Sequence, residues 1–316
     1  MDSFGQKLRL DIFGASHAPY VGITLRGVPA DLRLTPDDFI ADLSRRKSGA
    51  LGTTPRIEDD LPEISDRRKD DGTFTLRFAN RNYRDADYAD FTHIPRPGHA
   101  DFVALARYGS LRNGWFSGRM TLPLVAAGVV AKKMIAPLTV EASLIEVGGT
   151  PTSEKEAVQA KLEEAVREGD SLGGIVECRC TGVPVGLGEP FFDSLESLLA
   201  HAVFAIPGIR GIEFGDGFAA ARMKGSDHND PIVDAAGHTA RNGAGGINGG
   251  LSNGNPIVFR IAVKPTSSIR KKQQTFDFAS GQLIEYSVPG RHDACFALRV
   301  PPVVEAVTAC VFANLL

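Results

Sequence analysis

The chain contains little cysteine, and its few cysteines do not form a recognisable framework. In 316 residues there are only Cys178, Cys180, Cys295 and Cys310, without a C-x-x-C pair. Cys178 and Cys180 alternate with polar residues, a spacing that predicts a strand with both thiols facing a core. The pattern disfavours both a disulfide scaffold and a zinc site, and we predict no bound metal.

Long apolar runs and an excess of one charge are absent as well. The longest uncharged apolar stretch, Leu122 to Ala131, is too short to cross a bilayer, and the N-terminus has no apolar signal region. The 35 Lys and Arg residues against 38 Asp and Glu give a net charge of -3, and hence no overall attraction to nucleic acid or anionic membranes. We predict a cytoplasmic protein that binds neither.

Strand and helix patterns alternate along the whole chain, and no low-complexity linker marks a boundary. With 43% hydrophobic residues the chain can bury a large core, as one domain or as two closely packed halves. Period-two alternation predicts half-covered, antiparallel strands. These are Gly22 to Arg26, Phe74 to Phe78, Val140 to Val147, Ile175 to Thr181 and Ile257 to Val263. We predict a single domain over residues 1–316.

Helix signals are equally clear. Ser153 with Glu156, and Asp193 with Glu196, have the spacing of a capping box and predict the starts of two helices. The segment Gly118 to Pro137 is rich in small residues, so it predicts a core helix that approaches its neighbours closely.

Several arginines lie in loop-like contexts although the chain as a whole is slightly acidic. Four of them each lie beside Gly, Pro or Ser, namely Arg56, Arg96, Arg119 and Arg291. Arg45, Arg46 and Lys47 close a predicted helix, where complementing the helix dipole is the simpler interpretation of their charge. Because arginine forks suit carboxylates and phosphates, the four loop arginines favour a polyanionic ligand.

Two further segments offer backbone and side-chain donors. The glycine-rich run from Asn242 to Gly254 matches neither the Walker spacing nor G-x-G-x-x-G, and it could be a series of tight turns. The stretch K-P-T-S-S from Lys264 to Ser268 combines one cation, hydroxyls and a rigid turn. It is a candidate cradle for a phosphate or a heteroaromatic ring.

Three distant blocks combine a titratable group with glycine or proline, residues that present side chains from tight turns. They are G-A-S-H with His17, R-P-G-H-A-D with His99, and G-R-H-D with Asp293. An imidazole holds or releases a proton near neutral pH, so His17 and His99 are acid–base candidates. Asp293 taken alone could instead be a turn former or a salt-bridge partner of Arg291.

The chain resembles the chorismate synthase family from Gly5 to Leu316, and eleven blocks carry the resemblance in the family's order. They are F-G-A-S-H, G-V-P-A, L-S-R-R, R-P-G-H-A-D, S-G-R-M-T, A-A-G-V-V-A-K-K, G-D-S-L-G-G, P-V-G-L-G-E-P-F-F-D, N-G-A-G-G-I-N-G-G-L-S-N-G, K-P-T-S-S-I and G-R-H-D-A-C. The resemblance implies an α+β fold, a β-α-β sandwich with central helices between antiparallel sheets.

The resemblance also implies an activity. The expected reaction is the anti 1,4-elimination of phosphate from 5-enolpyruvylshikimate 3-phosphate, which yields chorismate in the shikimate pathway. The expected cofactor is reduced FMN, which depends on an external reductant such as an NADPH-linked one, and the expected assembly is a homotetramer. The substrate's phosphate and two carboxylates agree with the polyanionic ligand that the arginines favour.

The resemblance assigns roles residue by residue. It implies that His17 protonates the departing phosphate, that His99 manages the charge of the reduced flavin, and that Asp293 helps a flavin nitrogen to act as base. Substrate-binding roles fall on Arg45, Arg46 and Arg119. Flavin-binding roles fall on Ser117, Gly249, Lys264, Pro265, Thr266, Ser267, Ser268 and Arg291.

The chain departs from the family at several positions. The resemblance places glutamate at positions 15 and 120, arginine at 115, serine at 116 and glycine at 18. This chain instead has Ala15, Met120, Trp115, Phe116 and Ala18. The segments Glu63 to Asn80 and Gly149 to Gly169 are shorter than in the family. One hypothesis is a working enzyme in which hydrophobic packing replaces an ionic network. The alternative is a catalytically weak paralogue that binds flavin or anions for an interaction or a regulatory role.

Overall fold

Two five-stranded antiparallel sheets enclose a pair of long helices in the computed structural model, which describes residues 3–68, 70–82, 93–110 and 114–316. The first sheet has the strands β1 (Ser3–Phe4), β2 (Arg9–Gly14), β3 (Tyr20–Arg26), β4 (Glu63–Arg68) and β5 (Thr73–Ala79) in the order β1-β2-β3-β5-β4. Its interior positions alternate buried and outward-facing residues, as in β5, where Phe74, Leu76 and Phe78 face the core.

The second sheet is built later in the chain. It has the strands β6 (Thr139–Val147), β7 (Thr150–Pro151), β8 (Gly174–Thr181), β9 (Ile209–Phe214) and β12 (Ile257–Val263) in the order β7-β6-β8-β12-β9. Two separate hairpins complete the described strands: β10 (Ile247–Asn248) with β11 (Leu251–Ser252), and β13 (Gln273–Asp277) with β14 (Gln282–Tyr286).

Seven α-helices fall within the described residues. They are α1 (Ile40–Arg46), α2 (Asp101–Tyr108), α3 (Thr121–Ile135), α4 (Lys155–Glu168), α5 (Leu195–Val203), α6 (Gly225–His228) and α7 (Pro301–Leu315). Helices α3 and α7 pack against each other between the sheets, α3 on β3 and β5 and α7 on β6 and β8. A Cβ atom at Gly128 would overlap Ala306, so the small residues let the two helix backbones meet closely.

Most of the predicted elements are confirmed. All five predicted strands lie inside strands of the two sheets, and every pairing in these sheets is antiparallel. The core helix predicted over Gly118 to Pro137 is α3, which a short 3-10 turn at Gly118–Met120 precedes. Its stretch from Leu122 to Ala131 is buried throughout. The α+β sandwich is therefore the observed fold.

Two predicted helix starts are each wrong by one residue. Helix α4 begins at Lys155 after Glu154, without a side-chain cap from Ser153, and α5 is capped by Ser194, whose hydroxyl accepts from the backbone N–H of Ser197 at 3.2 Å. In each stretch the observed N-cap is the residue that directly follows the predicted one, Glu154 after Ser153 and Ser194 after Asp193, and only the backbone path fixes which of two neighbours begins the helix.

The cysteines are buried and unpaired, as their spacing predicts. Cys178 and Cys180 are fully buried in β8, all four cysteines are free, and burial raises the pKa of Cys295 to about 11 and of Cys310 to about 12. Within the described residues there is no helix long and apolar enough to span a membrane and no metal-binding group of His, Cys, Asp and Glu. One apolar cluster contains residues of both sheets and of α3 and α7. The organisation of the chain as a single domain over residues 1–316 stays a prediction.

Candidate active site

A cleft of about 810 Å³ opens where loops from both sheets meet the N-terminal end of α3. Twelve of the fourteen predicted site residues line it: His17, Arg46, His99, Ser117, Arg119, Lys264, Pro265, Thr266, Ser267, Ser268, Arg291 and Asp293. The loop arginines Arg56 and Arg96 line it too. The structure thus brings together blocks that lie up to about 280 residues apart in the chain.

Arg45 and Gly249 do not line this cleft, and their predicted binding roles stay predictions. Arg45 donates two hydrogen bonds of 2.7 Å to the Glu305 carboxylate on α7. Consecutive helix residues point about 100° apart, so when Arg46 faces the cleft Arg45 cannot. Gly249 forms the exposed tip of the β10–β11 turn with φ of 61°, a position that needs glycine for its backbone alone.

The cleft is strongly positive although the chain carries a net charge of -3. Its lining has eight cationic side chains, Arg46, Lys47, Arg56, Arg96, Arg119, Lys264, Arg291 and Arg299, against the three acids Glu58, Asp60 and Asp293. Such a surplus focuses the field of the protein on a small volume and attracts anions.

Two buried arginines form the floor of the positive region. Arg46 is 1% exposed, and it donates to Thr121 Oγ1 at 2.9 Å and to the Gly118 carbonyl at 3.1 Å. Arg119 is 8% exposed and donates to Asn80 Oδ1 at 3.0 Å. Burial, followed by the charge of Arg299, lowers the pKa of the Arg46 guanidinium. Because an arginine stays protonated at neutral pH, a bound anion would relieve this crowding of buried positive charge.

His99 belongs to a hydrogen-bonded triad with Arg96 and Asp101. His99 Nδ1 lies 2.6 Å from Asp101 Oδ1, and Arg96 donates to both oxygens of the same carboxylate at 2.7 Å. Burial would raise the pKa of Asp101, but the bonds from Arg96 and His99 outweigh it and hold this pKa well below its usual range. The ionised carboxylate fixes the proton on Nδ1 of a neutral His99, so Nε2 is the atom that can take up a proton.

We expect His99 to titrate below pH 6.5 in the free protein, because burial, reinforced by Arg96, lowers its pKa from 6.5 more than the Asp101 hydrogen bond raises it. Asp101→Asn should lower this pKa further, since it removes the opposing contribution. The folded state binds the proton less readily than the unfolded chain, so His99 destabilises the fold as pH falls below 6.5. An NMR titration of the imidazole measures the midpoint, and a value above 6.5 without ligand would contradict this expectation.

His17 lies on a turn that packs against the segment before α3. Its Nδ1 is 3.1 Å from the hydroxyl of buried Ser16, and the Ser16 backbone N–H donates to the Gly114 carbonyl at 3.3 Å. A Cβ atom at Gly114 would come within 3.0 Å of His17 Nε2, so glycine leaves room for the ring. The Ser16 contact and the space left by Gly114 therefore set the position of the imidazole at the wall of the cleft.

Asp293 is paired with a cation that the sequence did not suggest. Its carboxylate accepts from the backbone N–H of Thr54 at 2.8 Å and from Arg299 at 3.1 and 3.2 Å. The alternative partner, Arg291, instead donates to the Asn82 backbone carbonyl at 3.0 Å. Asp293 thus ties the G-R-H-D block to the 48–60 loop.

The Lys264–Ser268 turn packs on the block that carries His99. Lys264 and Ser267 Oγ both donate to the Gly98 carbonyl, at 2.7 and 2.8 Å, and Ser268 Oγ accepts from Arg96 at 3.1 Å. Burial and then the charge of Arg210 lower the pKa of Lys264. The Thr266 hydroxyl oxygen is buried without a hydrogen-bond partner among the described residues, so a ligand in the cleft could satisfy it.

Five residues that support the site were not singled out from the sequence: Glu58, Asp60, Asn80, Asp101 and Arg299. Asp101 ends the R-P-G-H-A-D block, and Glu58 and Asp60 follow Arg56 in the run R-I-E-D-D. The position of these acids beside loop arginines is the sequence feature that could have indicated them. The sequence alone does not show whether such an acid pairs with an arginine in the site or is exposed to solvent. The cleft thus brings titratable side chains and a surplus of cations together, the arrangement that an enzyme site for a polyanionic ligand requires.

Comparison with known proteins agrees with this description. The family model described as chorismate synthase matches residues 8–316. A chorismate synthase of Chitinophaga pinensis is 55% identical over 99% of this chain and 96% of its own length, and one of Aeropyrum pernix is 41% identical over 100% and 92%. The chain belongs to the chorismate synthase family.

A solved structure shares the fold. It is entitled "Crystal Structure of Chorismate Synthase" and superposes with a TM-score of 0.75, over 99% of this chain and 92% of that one, at 24% identity. The alignment with Aeropyrum pernix spans 351 positions against a chain of 316 residues, so it contains gaps in this chain, whereas that with Chitinophaga pinensis needs only 323. The chorismate synthase of Chitinophaga pinensis therefore lacks most of the additional positions that the Aeropyrum pernix protein has, as this chain does.

Proposed function

We propose that the chain catalyses the anti 1,4-elimination of phosphate from 5-enolpyruvylshikimate 3-phosphate to give chorismate. The observation that supports this most is the convergence of eight cations and the two histidines His17 and His99 in one cleft. In this reaction a C–O bond to phosphate and a ring C–H bond break, with no net change of oxidation state. The site must therefore move protons, and it must also bind the substrate's phosphate and its two carboxylates.

The residues of the cleft fit reduced FMN as the cofactor. A volume of about 810 Å³ is at the upper end of the range for small-molecule sites, which leaves room for a flavin beside the substrate. The buried Thr266 hydroxyl without a partner, the Lys264 ammonium and the Arg291 guanidinium offer donors to an isoalloxazine edge or a phosphate. Reduced FMN bound there would supply an electron to the substrate and regain it after phosphate has left, so the cofactor would undergo no net oxidation.

This chain's own residues then have separable tasks. Arg46 and Arg119 hold an anionic group of the substrate from the cleft floor. His17 delivers a proton to the departing phosphate, because an imidazole can hold a proton near neutral pH and Ser16 fixes this ring at the cleft wall. His99 stays neutral beside Asp101 and accepts a proton at Nε2, and Asp293, pinned by Arg299, assists removal of the ring hydrogen.

An anaerobic assay of the purified protein with chemically reduced FMN and 5-enolpyruvylshikimate 3-phosphate tests the proposal. Formation of chorismate and phosphate in equal amounts is the expected result. Tight binding of flavin and substrate without turnover would instead favour the catalytically weak paralogue. We also propose that the flavin is reduced by an external reductant, which adding a reductase with NADPH to the assay tests. A homotetramer is proposed as well, and light scattering measures its mass. The proposed location is the cytoplasm.

We expect the protein to discriminate weakly between FMN and riboflavin in the absence of substrate. Trp115 is 50% exposed at the cleft wall and is packed edge to face by Tyr108 at 5.2 Å, where the family resemblance places an arginine. Indole can stack on a flavin ring but cannot pair with its phosphate. Trp115 is the sole tryptophan, so quenching of its fluorescence reports binding of either flavin directly.

Trp115→Arg should widen the affinity ratio of FMN over riboflavin by about tenfold, the gain of one charge-assisted contact. Binding by this variant is followed through flavin fluorescence, with Trp115→Phe as the control that keeps an aromatic ring. A wild-type protein that already prefers FMN by orders of magnitude would contradict the expectation.

A further inference from the structure

A single buried carboxylate links the two arginines on the floor of the cleft. Asp60 is 7% exposed; its Oδ2 accepts from Arg46 Nη1 at 3.3 Å, and its Oδ1 accepts a short hydrogen bond from Arg119 Nη1. Its neighbour Asp59 is an exposed side chain that lies 3.5 Å from Arg81. Only one of these adjacent acids is therefore turned into the site.

The backbone of Asp60 is strained in a way that serves this placement. Its φ is 54°, one of two positive values among non-glycine residues in the described parts of the chain. Aspartate and asparagine tolerate this left-handed conformation better than other residues, yet it still has an energetic cost. The structure maintains it because the turn directs the carboxylate between two guanidinium groups.

The remaining bonds of each arginine fix its plane. Arg46 is held by Thr121 and Gly118 at the start of α3, and Arg119 by Asn80 Oδ1 and the Ala79 carbonyl, the latter at 3.3 Å. Asn80 Nδ2 donates in turn to the carbonyls of Ala15 and Ala18 on either side of His17, at 3.1 and 2.7 Å. The carboxylate thus couples the spacing of the two cations to the turn that carries the proposed acid.

We propose that Asp60 is a positioning residue, which sets the separation and orientation of Arg46 and Arg119 so that both bind one anionic group of the substrate. The inference deepens the proposed function and rests on it for the identity of the anion. A carboxylate on the floor of an anion site would repel the ligand if its charge were all that mattered. Its benefit has to come from the geometry that it imposes on the two arginines.

Charge and geometry predict opposite changes in anion affinity when Asp60 is replaced by asparagine. Asp60→Asn keeps the size and the left-handed backbone but adds one net positive charge, so charge alone predicts tighter anion binding. An amide has one acceptor oxygen, and its NH2 group faces a donor, so one guanidinium loses its partner and turns. We expect the Kd for 5-enolpyruvylshikimate 3-phosphate to rise on the order of 10- to 100-fold.

Binding is measured by calorimetry with oxidised FMN present, which prevents turnover, and inorganic phosphate serves as a second probe. Glu305→Gln is the matched control, because Glu305 is 2% exposed and bridges Arg45 and Lys132 outside the cleft. It should lower stability comparably without changing anion affinity. In turnover, Asp60→Asn should raise KM by more than it lowers kcat, a split that mere destabilisation would not give.

The outcomes separate the positioning role of Asp60 from the proposed function. Equal or tighter anion binding by folded Asp60→Asn overturns the positioning role. If that variant fails to fold, Asp60→Glu decides, since it keeps the charge and shifts the carboxylate by one methylene; unchanged affinity overturns the inference. A wild-type protein that binds phosphate but not the enolpyruvyl substrate refutes the proposed function alone, and phosphate then tests Asp60. Binding of neither ligand overturns both.

Discussion

We expect His17→Ala to lower turnover on the order of 10²- to 10³-fold with little change in stability, the usual effect of removing a general acid. The ring lies on a turn at the cleft wall and contacts Ser16 through Nδ1, so its removal leaves the arginine floor intact. Single-turnover rates under anaerobic, reducing conditions measure the chemical step apart from binding. The substrate Kd should stay within a few-fold of wild type.

His201→Ala provides the matched control for this experiment. His201 lies on α5, packs edge to face on Phe4 at 5.6 Å and does not line the cleft. Its variant should retain full activity. Wild-type rates in His17→Ala would remove this residue from the mechanism, whereas equal losses in both variants would indicate a general effect of surface truncation.

The second large effect concerns stability rather than rate. Met120→Glu is expected to lower the free energy of unfolding by about 3–5 kcal/mol, the cost of burying a charge without its partner. Met120 is 8% exposed and belongs to the main apolar cluster just before α3. Thermal and denaturant unfolding measure the loss, and Met120→Leu, which conserves volume, should cost less than about 1.5 kcal/mol.

The family resemblance gives this change a further test. Ala15, Trp115 and Met120 occupy positions where the family has two acids and an arginine, so the triple variant with Glu, Arg and Glu restores the whole set. If these positions form one network, the triple variant should recover much of the stability that Met120→Glu loses. Additive effects would mean that the three positions drifted independently.

Exchange of an entire ionic set for apolar residues is energetically permissible, which explains how the cleft can remain complete. A buried ion pair and a well-packed apolar replacement are often nearly equal in stability, whereas a half-exchanged set is not. The groups that we propose to handle protons and anions are present: His17, His99 and Asp293 line the same cleft as Arg46 and Arg119. Two of the departures, Trp115 and Phe116, also line this cleft, whereas these five side chains are retained.

Local sequence patterns determined the elements of this protein. Alternating apolar residues in β5, β8 and β12 leave one face of each strand to be buried, and the small residues of α3 allow only a central, closely packed helix. Glycine and proline beside His17, His99 and Asp293 indicated that these groups lie on turns. Such features depend on neighbours within a few residues, and the chain itself specifies them.

Only the tertiary structure decided which charged groups work together. Arg45 and Arg46 are adjacent and chemically identical, yet one binds Glu305 outside the cleft and the other forms its floor, because a helix turns by about 100° per residue. Asp59 and Asp60 differ in the same way: one is exposed, and the other lies between two arginines that are 14 and 59 residues away. Pairing of charges over such separations depends on the packing of the whole core, which no local pattern contains.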